Sequence, residues 1–296
     1  MRKNFISVVV PAHNEENAIA KAINSVLSST YKNYEIIVVN DGSADGTQQI
    51  VQDFIKKHPQ RIRLLNYDEG HSPAFARNRG AEAAKGDVLF FLDADDWVTQ
   101  RTLESIIKAF GTHKEVDFIA GNRKVFVPNT IERVFLYGVI ARDEIELKLK
   151  GDELVTNDIT PCPYIIKTHA FKKMGFFDEN TYYVEDALFS KKLAQMRIKK
   201  LLTKKIEYYT DYRSTLKDFV KQCKNVGKGL SKPFVPAAFL RLLSEMLISV
   251  LIFPFFFVVM FAYFVKKTGD LALSFFAPFL YTLRRIIEMY YFLKFI

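Results

Sequence analysis

Four short, largely apolar runs restrict the fold more than any other feature of this chain: Ile6–Val10, Ile36–Val39, Ile62–Leu65 and Val88–Leu92. Runs of this length, rich in branched side chains, suit strands buried on both faces. Segments of helical period separate them. Ile19, Ile23, Val26 and Leu27 predict a helix from about Glu16 to Ser28, and Ile50, Val51, Phe54 and Ile55 mark a second. Ala74–Lys85 is rich in alanine, reads as a third helix and is closed by Gly86. The resulting β-α-β-α-β-α-β order predicts an α/β fold, a mostly parallel sheet flanked by helices on both faces.

Three of these strands end in polar loops: Pro11–Glu16, Asn40–Thr47 and Asp93–Asp96. The ends of parallel strands lie on one edge of the sheet, and ligands of open α/β sheets bind beyond that edge. Asp93, Asp95 and Asp96 place three carboxylates within four residues. They have two readings. One is a divalent cation, Mg²⁺ or Mn²⁺, held by one or two carboxylates and sharing its other positions with water and phosphate. The other is a solvated turn that caps a helix from about Thr99 onward. Three polar loops on one edge favour a nucleotide. Asp41 would accept a hydrogen bond from a base N–H, Asp93 would bond a ribose hydroxyl, and Asp95 would take the metal. The first strand is not followed by Gly-x-Gly-x-x-Gly, and no Gly-x-x-x-x-Gly-Lys occurs. Dinucleotide and P-loop sites are therefore disfavoured, and phosphate falls to metal and arginine.

The chain has 296 residues and a net charge of +9, so an anionic partner is expected. Its two cysteines, Cys162 and Cys223, have neither disulfide-framework nor metal-site spacing and read as reduced and structural. Met1–Ile6 is too short in apolar length to be a secretory signal, so the N-terminal domain is expected in the cytoplasm.

Several stretches together carry a resemblance: Ser7–Glu16, Val39–Ser43, Ala76-Arg77-Asn78-Arg79-Gly80 and Leu92-Asp93-Ala94-Asp95-Asp96. In order and spacing they resemble the family-2 glycosyltransferases of GT-A fold over roughly residues 5 to 215. The resemblance implies transfer of a sugar from a nucleotide-diphosphate donor, with inversion at the anomeric carbon. It implies that Pro11, Glu15 and Asp41 line the base pocket. It also implies that Asp93 and Asp95 form an Asp-x-Asp motif for ribose and metal, and that Arg79 lies near the diphosphate. Arg77 stays open between that role and a solvated helix face.

Direct inversion needs a carboxylate to deprotonate the acceptor. Glu185 and Asp186 stand in the first turn of a helix with an apolar face at Leu188, Phe189 and Leu193, near the positive end of its dipole. Two acids there also suit plain capping. By resemblance they are the Glu-Asp motif, with Asp186 as base. Asp178 and Glu179 read as a structural turn. Residues 123 to 160 give no assignable site, beyond a helix at Asp143–Leu149.

From Lys191 to Arg241 there are fourteen Lys and Arg against three acids, directly before an apolar tail. Polybasic segments beside membrane segments are drawn to anionic lipid, and no recognisable nucleic-acid module is present. Met246–Val265 is twenty residues without a formal charge, enough to span a bilayer core, with Pro254 inside it. Leu271–Leu283 is a shorter apolar stretch, and Arg284 and Arg285 open an amphipathic end, Ile286–Ile296. The expected organisation is a GT-A domain at 1–215, a basic amphipathic interface segment at 216–241, and a membrane-associated helical hairpin at 242–296 that either spans or only inserts. The expected activity is transfer from a UDP- or GDP-sugar to a lipid-linked acceptor, polyprenyl phosphate or lipid-linked glycan, at the cytoplasmic membrane face. The competing readings are a polysaccharide synthase and a non-catalytic nucleotide-sugar-binding membrane scaffold.

Overall fold

The structure, a computed structural model, describes residues 2–126, 152–156, 164–180, 185–211 and 271–294, together with scattered positions between 220 and 265. Two compact units divide the chain. The first holds the described residues up to Val125 and those within Glu146–Asn180 and Glu185–Asp211; the second includes Tyr212–Ile296.

In the first unit the expected alternation is present as β1 (Arg2–Ala12), α1 (Ile19–Leu27), β2 (Tyr34–Asp41), α2 (Thr47–Lys57), β3 (Ile62–Tyr67), α3 (Pro73–Ala83) and β4 (Gly86–Phe91). After β4 come β5 (Asp96–Val98), α4 (Thr102–Thr112), β6 (Phe118–Phe126), β7 (Glu153–Thr156), β8 (Tyr164–Lys167), α5 (Thr168–Met174), α6 (Glu185–Gln195) and β9 (Lys200–Asp211). Among the described residues these strands form one sheet in the order β3-β2-β1-β4-β8-β6-β9-β5, with β7 paired to β9.

The sheet is mixed rather than mostly parallel. β3, β2, β1 and β4 are parallel to their neighbours. β8 runs antiparallel to β4 and to β6, and β9 runs antiparallel to β5 and β7. β5, β7 and β8 are three or four residues long, too short to carry a periodic signal. β5 also removes one reading of the acidic turn. The helix expected from Thr99 begins at Thr102 with Arg101 at its N-cap, and Asp96 lies inside β5. Asp93–Asp95 therefore caps no helix.

Side chains alternate across each strand and so divide the core in two. Ile6, Val8, Val10, Ile36, Val38 and Phe90 pack with Ile19, Ile23, Val26 and Val51 of α1 and α2, and with Leu103 and Ile106 of α4. Val9, Ile37, Val39, Leu89 and Phe91 pack on the other face with Ala74, Ala76 and Ala81 of α3, and with Phe171, Phe177 and Phe189. Fully burying one such Val, Ile, Leu or Phe contributes about 1.5–3 kcal/mol, and the charged residues of these strands, Glu35, Asp41 and Asp87 among them, stand toward the strand ends. α3 is held closest. A Cβ on Gly80 would come within 2.2 Å of Val9 Cγ1, so glycine is what lets the helix approach β1.

The described part of the second unit contains α7 (Leu271–Lys294), one continuous helix that includes Pro278. The apolar stretch Leu271–Leu283 and most of the amphipathic end expected after Arg285 thus share that helix. Thr282 Oγ1 donates to the Pro278 carbonyl at 3.1 Å. Arg284 and Arg285 are both buried and grip the buried Glu288, at 2.7 Å each. Phe275, Phe279, Leu283, Ile286, Tyr290 and Leu293, by contrast, are each 40–58% exposed. Met246–Val265 and the helix expected at Asp143–Leu149 lie almost wholly outside the described residues, among which no helix is long and apolar enough to cross a membrane. Cys223 is buried, and burial, then the Glu288 charge, pushes its thiol up to about 12, which leaves it inert.

Candidate active site

The carboxyl ends of β1, β2, β3 and β4 share one edge of the sheet, and the loops after β1 and β2 are stitched together there. Asn14 N–H donates to Ser43 Oγ at 2.9 Å, and Ala44 N–H donates to Asn14 Oδ1 at 2.8 Å. Glu15 N–H donates to Thr47 Oγ1 at 2.7 Å, and Gly46 N–H donates to Glu16 Oε2 at 2.8 Å. Pro11 pairs with Val39 at the end of β1, and the Glu15 carbonyl receives the first N–H groups of α1. The structure thus brings Pro11, Glu15 and Asp41 to one place.

Asp41, the last residue of β2, is buried. Its Oδ2 accepts from His71 N–H at 3.0 Å, and its Oδ1 lies 2.9 Å from His71 Nδ1. Its carbonyl lies 2.6 Å from His13 Nδ1. Gly42, at φ +66, follows; a Cβ there would fall 2.3 Å from Gly70 N, so only glycine allows the two loops to touch.

The acidic turn after β4 meets a partner that sequence reasoning left open. Arg77 on α3 is buried; its Nη2 donates to Asp93 Oδ1 at 3.0 Å and its Nη1 to Glu185 Oε1 at 3.3 Å. The guanidinium also lies over the rings of Tyr164 and Phe177, at 5.8 and 5.7 Å. One arginine therefore ties the Asp-x-Asp turn to the first residue of α6, whose second residue is Asp186. The planar five-donor fork of arginine allows this double grip; a lysine could not reproduce it.

Arg79 turns elsewhere. It pairs with Glu179 at 2.7 Å and Glu82 at 2.9 Å, and lies 5.0 Å over the Phe75 ring. Among its described partners are neither Asp93 nor Asp41. Arg77 and Arg79 are two positions apart, roughly 200° around a helix, so only one of them can face the acidic turn.

Asn78, between them, was not singled out from sequence and is buried. Its amide exchanges bonds with the Phe177 backbone, 3.0 Å each way, and donates to Glu179 Oε1 at 2.7 Å. Burial pushes the Glu179 carboxyl up, but the bonds from Asn78 and Arg79 outweigh it and hold the group below the usual carboxylate range. Glu179 is thus the structural anchor of a turn, as its position suggested. Asn78, Arg79, Glu179 and Lys192 line a cleft of about 470 Å³ beside it.

No three His, Cys, Asp or Glu side chains gather into a self-sufficient metal site among the described residues. Asp93 and Asp95 fit the other pattern, in which one or two carboxylates share a hard cation with phosphate and water. The Asp93 carboxyl is 42% exposed beyond its contact with Arg77, so it can face a ligand at the rim.

Comparison with known proteins agrees with this geometry. Residues 7–175, more than half of the chain, match Glycosyl transferase family 2, and the chain belongs to that family. It is 34% identical to the glycosyltransferase GlyA of Streptococcus pneumoniae serotype 4 over 46% of its own length. It is 29% identical to the minor teichoic acid biosynthesis protein GgaB of Bacillus subtilis over 69% of its own length. It spans only 19% and 22% of those two proteins. The fold matches that of S. aureus TarS 1-349, solved in complex with UDP-GlcNAc, with a TM-score of 0.58 and 18% identity, over 97% of this chain and 91% of that one. The fold is accordingly GT-A-like.

Proposed function

We propose that the protein is an inverting glycosyltransferase that takes a sugar from a nucleoside-diphosphate donor, of which a UDP-sugar is the first candidate, and passes it to a lipid-linked acceptor. The observation that carries this reading is the Arg77 bridge between Asp93 and Glu185. It joins the donor rim to the helix bearing the acceptor-activating acids. UDP is placed ahead of GDP because the structural relative TarS was solved with UDP-GlcNAc.

In this reading the base lies beside Pro11 and Glu15 and bonds Asp41, and Asp93 holds the ribose. Arg79 reaches the diphosphate only by leaving Glu179. The acceptor oxygen bonds to the anomeric carbon as the carbon–diphosphate bond breaks. The electron pair leaves with the diphosphate, and the acceptor proton passes to Asp186, with Glu185 fixed beside it. A phosphate acceptor is already ionised and leaves Asp186 an orienting role. Bound at Asp93 and Asp95, Mg²⁺ or Mn²⁺ would neutralise charge on the departing diphosphate.

Two observations support a membrane setting with the catalytic unit on the cytoplasmic face. The basic excess from Lys191 to Arg241 precedes the uncharged run Met246–Val265. The exposed apolar positions of α7 follow a spacing of three and four residues, while its arginines and Glu288 are buried. A helix in water does the opposite; this pattern suits a helix lying along a bilayer. The name of GgaB, a teichoic acid biosynthesis protein, is consistent with an acceptor in a cell-surface polymer.

The test is release of nucleoside diphosphate by the detergent-purified chain, with Mn²⁺, from UDP- and GDP-sugars. Slow release that accelerates on adding a polyprenyl phosphate or lipid-linked glycan is expected. A folded protein that neither releases nor binds any nucleotide would be a scaffold instead.

A further inference from the structure

The donor rim contains one arrangement that the reading above does not use. Asp41 is gripped from both ends by histidines. Asn14 Oδ1 accepts from Ala44 N–H, which orients the amide, so its Nδ2 donates to His13 Nε2 at 3.0 Å. His13 Nε2 is thereby an acceptor, and the ring proton sits on Nδ1, donated to the Asp41 carbonyl. That bond pins the backbone. The side chain is pinned by His71, whose backbone N–H and Nδ1 reach different oxygens of the same carboxylate. A carboxylate only accepts, so Nδ1 carries the proton there as well.

The His71 ring is itself caged. It stacks on Phe75 with centroids 4.0 Å apart and planes 14° from parallel, and Tyr67 meets both rings edge-on, at 6.1 and 5.0 Å. Phe75 in turn lies under the Arg79 guanidinium, which Glu179 holds. Residues 71, 75 and 79 stand four apart, so the column runs along one face of α3 and its N-terminal lead-in.

We propose that His71 is the positioning residue that sets base specificity, resting on the reading that Asp41 receives the donor base. Two donors from one residue fix the carboxylate plane and prevent it from rotating. The lone pairs that remain face an incoming base at a set angle. A base that offers an N–H at that edge, such as the uracil imide, is bonded. Cytosine presents a bare ring nitrogen at the same position, and two acceptors then face each other in a largely buried site. The rejection is strong only while the carboxylate cannot turn away. His71 thus converts a common acidic acceptor into a selective one without touching the nucleotide.

The experiment is titration of the detergent-purified full chain with UDP and CDP, by calorimetry, in wild type, His71→Ala, His71→Asn and Phe75→Leu. Wild type is expected to prefer UDP by at least about tenfold, as sites built to pair a polar group reject analogues that cannot pair. His71→Ala is expected to lose most of that ratio, and His71→Asn, which keeps a side-chain donor, to recover part of it. Phe75→Leu leaves the His71–Asp41 hydrogen bonds in place and removes the ring stacked on His71, together with its contacts to Tyr67 and Arg79, so it should fall between. A merely structural role would weaken UDP and CDP alike and leave the ratio unchanged; that result overturns the proposal. If His71→Ala does not fold, an unchanged ratio in both His71→Asn and Phe75→Leu overturns it equally. A folded wild type that binds neither nucleotide overturns instead the reading of Asp41 as a base acceptor.

Discussion

Arg77 meets Asp93 at 3.0 Å with one arm of its guanidinium while the other arm reaches Glu185 at 3.3 Å. The three groups come from α3, the turn after β4 and the start of α6. Two acids near one another repel, and the shared cation holds them in place. Removing it takes a charged partner from the buried Glu185, and breaking a buried ion pair in this way costs about 3–5 kcal/mol in comparable sites. Arg77→Ala is therefore expected to lower thermal stability and to abolish turnover. Arg77→Lys should recover stability better than turnover, because a lysine cannot grip both carboxylates. Melting curves and diphosphate release measured on the same samples check this. Equal recovery of both by lysine would show that charge alone suffices.

Gly80 gives a prediction about packing. Its α-carbon faces Val9, and an added methyl group would approach Val9 Cγ1 to 2.2 Å and Val39 Cγ2 to 3.2 Å. Both valines are fully buried in the central strands, so neither can swing away. Gly80→Ala should destabilise by about 1–3 kcal/mol, the usual cost of overpacking. Thermal melting should register this as a drop of several degrees. An unchanged midpoint would mean that α3 can slide along the sheet, and Arg77 and Asn78 with it.

The central strands and the loops at their ends were legible in the sequence because burial and turn chemistry write directly into residue type. Val8, Val38 and Phe90 had to be apolar, and Asp41 and Asp93 had to follow them at the edge. The antiparallel half was not legible, since β5 and β8 take their pairing from distant strands and not from any local period. The different surroundings of the two arginines were not legible for another reason. α3 is alanine-rich and has almost no apolar asymmetry, so its sequence does not say which side is buried. The resemblance implies Arg79 near the diphosphate, and the structure shows Arg77 paired with Asp93. His71 and Asn78 carry no signal of their own; each matters because of a backbone or carboxylate brought to it by the fold.

Glu179 makes the acid stability of the catalytic unit testable. Its folded carboxyl is held below its ordinary value by Asn78 and Arg79, in spite of burial. A depressed carboxyl contributes its full stability above its unfolded value, and loses it as pH falls through the folded one. The window therefore opens near the ordinary glutamate value of about 4.3 and extends downward. Glu179→Gln should lower the melting temperature at neutral pH and flatten its fall on the acid side. Parallel wild-type and variant curves between neutral pH and pH 3 would remove Glu179 from the acid response.

Asp95 and Asp186 separate the two halves of the proposed reaction. Asp95 lies in the turn that follows β4 and is only partly buried, so Asp95→Ala should melt close to wild type. If it holds the cation, the variant should lose the activity that Mn²⁺ restores to chelator-treated protein. Asp186 is the second residue of α6, and its change to Asn keeps the side chain's size and shape. Asp186→Asn should still bind UDP, because the proposed nucleotide contacts lie at the ends of β1, β2 and β4. Transfer to a hydroxyl acceptor should then fall by at least about 100-fold, the scale of a lost general base. Transfer to a phosphate acceptor should fall far less, since no proton has to be removed. The comparison therefore reads acceptor chemistry as well as the base. A large loss with hydroxyl alone makes Asp186 the base, an equal loss with both makes it an orienting group, and no loss with either moves the base to Glu185 or to another acid.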